Sequence, residues 1–512
     1  MSNNIKNKLL LLNIGLLIAL IYLGLLIFNI DIQSLFRRPV CNHCNVILIS
    51  LDTLGAEHLP CYGYDRNTAP NLCNFAKNNI LFSNAFSNAS WTLPSHFSIF
   101  TSLYPKHHIM VNDVNHQIMA GDFTNKLDPS IITMAEYFKK ANYKTIYIGP
   151  ITDPTLSLQR GIGKGFENIF DSLHPNYTLE SWDKGISQLI ANNKKKENTF
   201  LFLHTYWVHD PYLVDDVPDG NIKRIYTKNF YPDISLNRDS YYKFSQNFLD
   251  FILVNYENKI KTDDVYERKN DQNIINSLRA AKSLIEAEKI YLKLIPNFST
   301  REGFFSEFYF KNINKSNMAI SYDKSLYDEL IYRLDKQMTL IFSITSNTEL
   351  ANNTIIIITS DHGEEFMEHG SLGHPADHLY NTITAIPLIM YVPGIKQKKI
   401  DNLVQSIDIL PTILNLTGIK NSNNYFDGID LTDSILGRWF PKKNDYLISE
   451  GPNDSIRNDR WKLYVDNLQR KKNINELYDL YKDPREKSNI AKENPKIVKD
   501  LQDKLDKIIY KK

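Results

Sequence analysis

Acidic and histidine side chains follow three apolar runs of the sequence, at the point where each run ends. Asp52 follows NVILISL, His204 and His209 follow TFLFL, and Asp361 and His362 follow TIIIIT. Short runs rich in branched residues are typical of buried strands in a parallel sheet. Because the carboxyl ends of such strands line one crevice, we expect these side chains to lie close together. Carboxylates and imidazoles bind metals and move protons, so the pattern predicts a metal or acid–base site.

A hydroxyl residue precedes a predicted helix in the segment SWTLPSHFSIFTSLYPKHH. Pro94 favours a helix over Ser95–Leu103, because proline suits the first helical turn. Thr92 would then lie just ahead of the helix amino terminus, where free N–H groups and the helix dipole favour an anionic oxygen. A threonine hydroxyl is a weak nucleophile alone, but a divalent cation beside it eases the loss of its proton. The same position also suits a simple helix cap.

Helical patterns separate the apolar runs and predict an α/β fold. Amphipathic stretches occur at Ile131–Lys140 and Tyr322–Phe342, and Pro387–Pro393 predicts a further strand. Strands that alternate with helices indicate a mostly parallel central sheet with covered faces. Short strand-like pieces and a final amphipathic helix, Pro495–Ile509, predict a small C-terminal α+β subdomain.

These patterns divide the chain of 512 residues into three parts. Residues 1–44 form a cytoplasmic stub, an anchor and a linker; residues 45–441 form the catalytic domain; and residues 442–512 form the α+β subdomain. The polar, tyrosine-rich stretch at about 214–315 is interpreted as an insertion over the catalytic face, since loops at that edge carry specificity. The formal net charge is only +1, which is no electrostatic basis for nucleic-acid binding.

An uncharged apolar segment, Leu9–Ile30, lies near the amino terminus. Its length is sufficient to span a bilayer as a helix. A cleaved signal peptide is the alternative, but the stretch is too long and no small-residue cleavage site follows. Lys6 and Lys8 precede the segment closely, while Arg37 and Arg38 follow at a greater distance. We therefore expect a single-pass membrane protein with its catalytic domain outside the cytoplasm.

Four cysteines fit an extracytoplasmic compartment: Cys41, Cys44, Cys61 and Cys73. Four cysteines allow three pairings, among which the sequence does not choose. The CNHC segment could suggest a zinc knuckle, but no second ligand pair follows at zinc-finger spacing. Disulfides or idle thiols are therefore favoured over a metal site.

Six blocks occur in a fixed order: NVILISLDTLGAEHLPCYGY, SWTLPSHFSIFTSLYP, FLHTYWVHDPY, IIIITSDHGEEFMEHGSLGHP, IDILPTILNLTG and ELYDLYKDPREKSNIA. This ordered set resembles the sulfatase family within the alkaline-phosphatase-like superfamily. The resemblance covers most of residues 45–490 apart from the insertion. It implies an alkaline-phosphatase-like sandwich and the metal-dependent cleavage of an ester.

The resemblance also implies roles for individual residues. It places four in a metal shell: Asp52, Thr92, Asp361 and His362. Thr92 is also the implied nucleophile. By the same resemblance, His209 and His374 are the acid–base and oxygen-binding groups around the transferred ester. His96, which stands where many family members have arginine, and the nearby His204 are secondary candidates for substrate binding.

Three departures from the family pattern bear on the chemistry. Sulfatases proper have Cys or Ser at the position of Thr92 and oxidise it to formylglycine, which Thr92 cannot form because its β-carbon carries a methyl group. Thr53 follows Asp52 where calcium-binding members have a second acid. The Gly-Lys-x-His block is missing, because PITDPTLSL follows ANYKTIYIG. Two carboxylates, an imidazole and a hydroxyl suit Mn²⁺ or Zn²⁺ better than Ca²⁺.

A threonine nucleophile resembles phosphodiesterases, phosphoethanolamine transferases and lipoteichoic-acid synthases, relatives that pass through a phosphothreonine. We therefore expect a membrane-anchored hydrolase of sulfuric or phosphoric esters that acts on a small molecule, a lipid or a glycan. The first alternative is a phosphoethanolamine- or phosphoglycerol-type transferase acting on cell-envelope glycans or lipids. The second is a catalytically inactive binding protein that retains the fold, which the complete ligand set disfavours.

Overall fold

The structure is a computed structural model that describes residues 40–110, 126–151, 156–171, 180–210, 212, 226, 317–421, 425–438, 445–467 and 475–510. The predicted anchor Leu9–Ile30 and nearly all of the predicted insertion at 214–315 lie outside these residues. Within the described ranges, no helix combines the length and the apolar character that a membrane crossing requires.

The described residues contain fourteen strands: β1 (Asn45–Leu51), β2 (Ile80–Phe86), β3 (Lys144–Gly149), β4 (Asn168–Asp171), β5 (Thr199–Thr205), β6 (Thr354–Thr359), β7 (Glu365–Phe366), β8 (Leu372–Gly373), β9 (Ala385–Tyr391), β10 (Lys398–Gln405), β11 (Leu447–Glu450), β12 (Asp454–Arg457), β13 (Trp461–Val465) and β14 (Asn475–Asp479).

The same residues contain twelve α-helices: α1 (Pro70–Asn78), α2 (Thr92–Thr101), α3 (Pro105–His108), α4 (Met134–Lys140), α5 (Glu180–Lys194), α6 (Asn317–Gln337), α7 (Thr339–Ser343), α8 (Thr348–Ala351), α9 (Asn381–Thr384), α10 (Ile409–Thr417), α11 (Thr432–Leu436) and α12 (Pro495–Ile509).

Eight strands form the central sheet in the order β10–β2–β9–β6–β1–β5–β3–β4. All are parallel except β9, which runs antiparallel to β2 and β6. The prediction of an α/β fold with a mostly parallel central sheet is confirmed. In the register, Ser50 of β1 lies opposite His204 of β5 and Thr359 of β6. The three strands therefore end at one level of the sheet.

Strand β1 is buried on both faces, which explains its mostly apolar sequence. Val46 and Leu48 contribute to one hydrophobic core, whereas Ile47, Ile49 and Leu51 contribute to the other. Residues from α2, α4 and α10 complete the first core, and residues from α1, α6 and α7 complete the second. The sheet is thus the middle layer of a sandwich, and β1 lies near its centre.

The C-terminal region adds a four-stranded antiparallel sheet, β11–β12–β13–β14. Helix α12 turns Leu501, Leu505 and Ile509 toward it, at the spacing that places residues on one helical face. These side chains pack with Ile448 and Leu463 in a separate hydrophobic cluster. The predicted domain boundaries at residues 45 and 442 stay predictions.

Three predicted helices have different bounds in the structure. The helix predicted over Ser95–Leu103 is α2, which starts three residues earlier because Pro94 also fits the third helical position, where its missing N–H has no helical partner. The stretch Ile131–Lys140 becomes helical only after Thr133, which forms a capping box with Glu136. The stretch Tyr322–Phe342 divides into α6 and α7.

The cysteines form two disulfides, Cys41–Cys44 and Cys61–Cys73, with Cα–Cα separations of 5.5 and 5.2 Å. The first lies just before β1, where the Cys41 N–H donates to the carbonyl of Leu416. The second ties a short turn to α1. This is one of the three pairings that the sequence alone left open.

Candidate active site

The ends of β1 and β6 and the start of α2 bring four predicted site residues together. Ligand atoms of Asp52, Asp361 and His362 lie within 4.8 Å of one another, and all three side chains are fully buried. Thr92 Oγ1 lies 3.5 Å from Asp52 Oδ2 and 3.4 Å from His362 Nε2. Residues that are about 300 positions apart in sequence therefore surround one small space, as their strand-end positions predicted.

Thr92 is the first residue of α2, not the residue ahead of it as predicted. The chain enters the helix through Trp91 in an extended conformation, and Thr92 is 4% exposed. A first-turn residue has its own N–H and its neighbours' N–H groups unpaired within the helix, and the dipole there is positive. The hydroxyl thus remains next to the helix end that favours negative charge.

His362 presents a neutral nitrogen to this space. Its Nδ1–H is 3.0 Å from the carbonyl oxygen of Gly363, which leaves Nε2 as the atom that faces Thr92. Burial lowers the pKa of His362 to about 3. A neutral imidazole whose far nitrogen donates to a backbone carbonyl has the arrangement of a metal-ligating histidine.

The two carboxylates are incompletely paired. Asp361 Oδ1 accepts the backbone N–H of Thr53 at 3.3 Å and that of His362 at 2.9 Å. Asp361 Oδ2 and Asp52 Oδ1 receive no hydrogen bond from any described residue. Burial, together with the charge of Asp361, raises the pKa of Asp52 well above its usual value. Two unsatisfied, buried carboxylate oxygens fit a bound divalent cation, which would offset both charges.

His96 and His204 lie next to the carboxylates, with ring centroids 4.5 Å apart. His204 Nε2 is 3.1 Å from Asp52 Oδ2, and His96 Nε2 is 3.0 Å from the hydroxyl of Ser50. Burial lowers the pKa of both imidazoles. In the described part of the chain, only histidines make ion-pair contacts with Asp52 and Asp361, and no lysine or arginine does.

His209 and His374 lie at the mouth of the site. Their side chains are 10% and 18% exposed, and their ring centroids are 4.9 Å apart. His209 Nε2 lies 4.0 Å from Asp52 Oδ1, and the His374 ring lies 4.5 Å from that of His362. With Asp210, these two histidines form a second group of ligand-type atoms within 4.8 Å of one another.

Sequence reasoning missed the buried carboxylate that pairs with His374. Glu364 is fully buried and lies 2.9 Å from His374 Nδ1. The segment SDHGEEFMEHG contains several acids and histidines, so its spacing alone does not reveal which of them pair. His369 of that segment instead stacks on Tyr380, with ring centroids 3.7 Å apart.

The Sulfatase family profile matches residues 44–419, and the profile described as N-sulphoglucosamine sulphohydrolase, C-terminal, matches residues 368–511. The chain belongs to the sulfatase family. It is therefore a hydrolase of a family that cleaves sulfuric esters. Sulfatase-family enzymes depend on a metal, generally Ca²⁺, and the group at Asp52, Asp361 and His362 is the candidate holder in this sulfatase-family chain.

Similar proteins share the fold, but their names give different esters as substrates. An N-acetylgalactosamine-6-O-sulfatase of Bacteroides thetaiotaomicron is 23% identical over 524 residues, covering 91% of this chain and 93% of the relative. A protein solved with its substrate D-glucosamine-2-N,6-O-disulfate has a TM-score of 0.62 at 18% identity, covering 93% of this chain and 98% of the other. The phosphonate monoester hydrolase of Agrobacterium radiobacter has a TM-score of 0.59 at 17% identity, covering 92% and 95%.

Proposed function

We propose that this sulfatase-family protein is a metal-dependent hydrolase of sulfuric or phosphoric esters with Thr92 as its nucleophile, and that phosphodiesters are its better substrates. The position of Thr92 Oγ1, within 3.5 Å of both Asp52 Oδ2 and His362 Nε2, carries this proposal. The hydroxyl is the reactive group that lies among the candidate metal ligands.

Asp52, Asp361, His362 and Thr92 would hold the cation, which when bound supplies positive charge next to the hydroxyl and the ester oxygens. The set combines carboxylate and hydroxyl oxygens with one neutral imidazole nitrogen. Such a mixed set suits Mn²⁺ or Zn²⁺, whereas Ca²⁺ prefers oxygen ligands only. Thr53 stands where calcium-binding members of the family have a second acid, which supports the same preference.

The preference for phosphorus follows from the chemistry of threonine. Thr92 Oγ would form a bond to phosphorus while the bond from phosphorus to the leaving oxygen breaks. The hydroxyl proton passes to a neighbouring base, and the leaving oxygen takes a proton from His374 or His209. Water then attacks phosphorus and gives a proton to that histidine, the Thr92 Oγ–P bond breaks, and Thr92 regains its proton from the base. The formylglycine route to sulfate release is closed to threonine.

Replacement of the nucleophile tests the proposal. Purified full-length chain with added Mn²⁺, Zn²⁺ or Ca²⁺ is assayed with bis(4-nitrophenyl) phosphate and 4-nitrophenyl sulfate. We expect faster turnover of the phosphodiester and a loss on the order of 10³ or more for Thr92→Ala. Thr101→Ala is the matched control, because Thr101 is a buried threonine of the same helix whose hydroxyl donates to the carbonyl of Phe97.

Two outcomes of this assay would contradict the proposal. Efficient sulfate release that survives Thr92→Ala would show that another group is the nucleophile. Phosphodiester cleavage whose product appears mainly on an added alcohol, and not on water, would instead favour the transferase alternative. Mass spectrometry of a rapidly quenched reaction gives a direct readout, because we expect the adduct on the peptide that contains Thr92.

We also propose that Leu9–Ile30 anchors the protein, with the catalytic domain outside the cytoplasm. The uncharged length of the segment supports this, and the two disulfides fit an oxidising compartment. Membrane fractionation with amino-terminal sequencing tests the anchor. Soluble mature protein that begins after Ile30 would contradict it.

A further inference from the structure

A buried carboxylate is paired with one of the two histidines at the mouth of the site. Glu364 is fully buried, and its Oε1 lies 2.9 Å from His374 Nδ1. The centroid of the His374 ring lies 4.5 Å from that of His362 and 4.9 Å from that of His209. Because Nδ1 is directed at the carboxylate, Nε2 is at the opposite edge of the ring.

The backbone determines this pairing. Strands β7 and β8 form an antiparallel hairpin in which Glu365 pairs with Gly373. Glu364 and His374 are the next residues outward on the two strands, so they face each other across the hairpin. A side chain at Gly363 would approach the carbonyl oxygen of Thr382 to 2.6 Å, so the chain before Glu364 has little freedom to move.

We propose that Glu364 is the positioning residue for His374. The inference rests on the proposed function. Glu364 accepts the Nδ1 hydrogen, which orients the ring so that Nε2 faces the leaving oxygen of the ester and keeps the hydrogen on Nδ1 when Nε2 gives up its proton. When the ester bond breaks, the proton on Nε2 moves to the leaving oxygen. When water attacks the adduct on Thr92, Nε2 takes a proton from that water, so the imidazole returns to its starting state.

The adjacent residue provides a matched control. Glu365 is also fully buried, and its Oε2 lies 2.9 Å from His378 Nδ1. The two pairs therefore share burial and the glutamate–histidine distance, and their glutamates are adjacent in the chain, although Glu365 also accepts the backbone N–H of His369. His378, however, belongs to neither group of ligand-type atoms among the described residues. A purely structural role for a buried glutamate–histidine pair would give similar effects at both positions.

The test compares Glu364→Gln with Glu365→Gln on two phosphodiesters, one with a 4-nitrophenol leaving group and one with an alkyl alcohol. An alkyl alcohol needs a proton as it leaves, whereas 4-nitrophenolate does not. For Glu364→Gln, we expect kcat on the alkyl ester to fall roughly 10²-fold or more and kcat on the 4-nitrophenyl ester to fall less than about tenfold. KM and bound metal should match the wild type, and Glu365→Gln should resemble wild type on both esters.

A double variant separates action through His374 from action elsewhere. If Glu364 acts through the imidazole, Glu364→Gln/His374→Gln is no slower than His374→Gln alone on the alkyl ester. Additive losses of kcat in the double variant would overturn the inference. Equal losses of kcat on both esters in Glu364→Gln, or loss of the metal from that variant, would also overturn it. Wild-type activity that does not depend on Thr92 would overturn the proposed function, whereas wild-type rates in Glu364→Gln would overturn this inference alone.

Discussion

Two neighbouring histidines of α3, His107 and His108, have opposite electrostatic surroundings. His108 is fully buried, accepts the Met110 N–H on Nδ1 at 3.2 Å, and has Nε2 3.1 Å from the Ser98 hydroxyl. Burial lowers its pKa to about 3. His107 lies 2.7 Å from a carboxylate oxygen of Asp427, and that hydrogen bond raises its pKa to about 9. The fold therefore holds one imidazole neutral and the other charged.

The pKa of His108 predicts a loss of stability in mild acid. Its pKa is about 6.5 in the unfolded chain and about 3 in the folded one, so below pH 6.5 the unfolded state binds a proton that the folded state does not. The contribution of His108 to the free energy of unfolding is fully present above pH 6.5 and decreases as the pH falls toward 3. At pH 5 the accumulated loss is about 2 kcal/mol, at about 1.4 kcal/mol per pH unit.

His107 predicts the reverse dependence. Its folded pKa is above the unfolded value, so its contribution is fully present below pH 6.5 and is lost as the pH rises through 9. The shift corresponds to about 3 kcal/mol at most. Because the side chain is 22% exposed, solvent screening reduces the contribution, and we expect about 1–2 kcal/mol.

Urea unfolding of the wild type, His107→Gln and His108→Gln at pH 5, 7 and 9 measures both effects. Between pH 7 and pH 5, we expect the wild type to lose about 2 kcal/mol more than His108→Gln does. We expect His107→Gln to be less stable than the wild type at pH 5 and 7 and to approach it above pH 9. Identical pH dependence in all three proteins would refute the assignment of charge to this pair.

Three further predictions concern the metal, a buried ion pair and a disulfide. Asp361→Asn should lose the bound divalent metal and lower the activity by a factor on the order of 10² or more. Elemental analysis measures the metal, and the phosphodiester assay measures the activity. Lys462→Met should lower the free energy of unfolding by roughly 3–5 kcal/mol in urea titrations, because it removes the ammonium that lies 2.6 Å from the buried carboxylate of Glu486. Replacement of both Cys61 and Cys73 by Ser should cost about 3 kcal/mol of stability, measured as a lower melting temperature under non-reducing conditions.

The strand ends were predictable because burial on both faces leaves a clear trace in sequence. β1 and β6 have the predicted bounds, and β5 extends the predicted run Thr199–Leu203 by two residues. Strands of this kind have apolar residues at most positions, so they read as nearly continuous hydrophobic runs. Their parallel arrangement then places Asp52, His204 and Asp361 at one edge of the sheet.

Other features depend on tertiary contacts that leave no such trace. β2, with the sequence ILFSNAF, mixes polar and apolar residues because only some of its positions are buried, and no strand was predicted there. The first residue of α2 was misplaced because threonine, leucine and proline all fit a first turn. The pairing of Glu364 with His374 follows from the hairpin register, which neighbouring acids and histidines leave ambiguous.

The position of β1 in the sheet has a consequence for biosynthesis. Its neighbours β5 and β6 follow far later in the chain, and the contacts His204–Asp52 and Thr53–Asp361 span 152 and 308 residues. Contacts of such sequence separation form late, because a long loop must close before they stabilise anything. The two disulfides close loops of only 3 and 12 residues and can form long before the sheet does. A growing chain therefore carries no assembled active site until β6 and the segment after it have been synthesised.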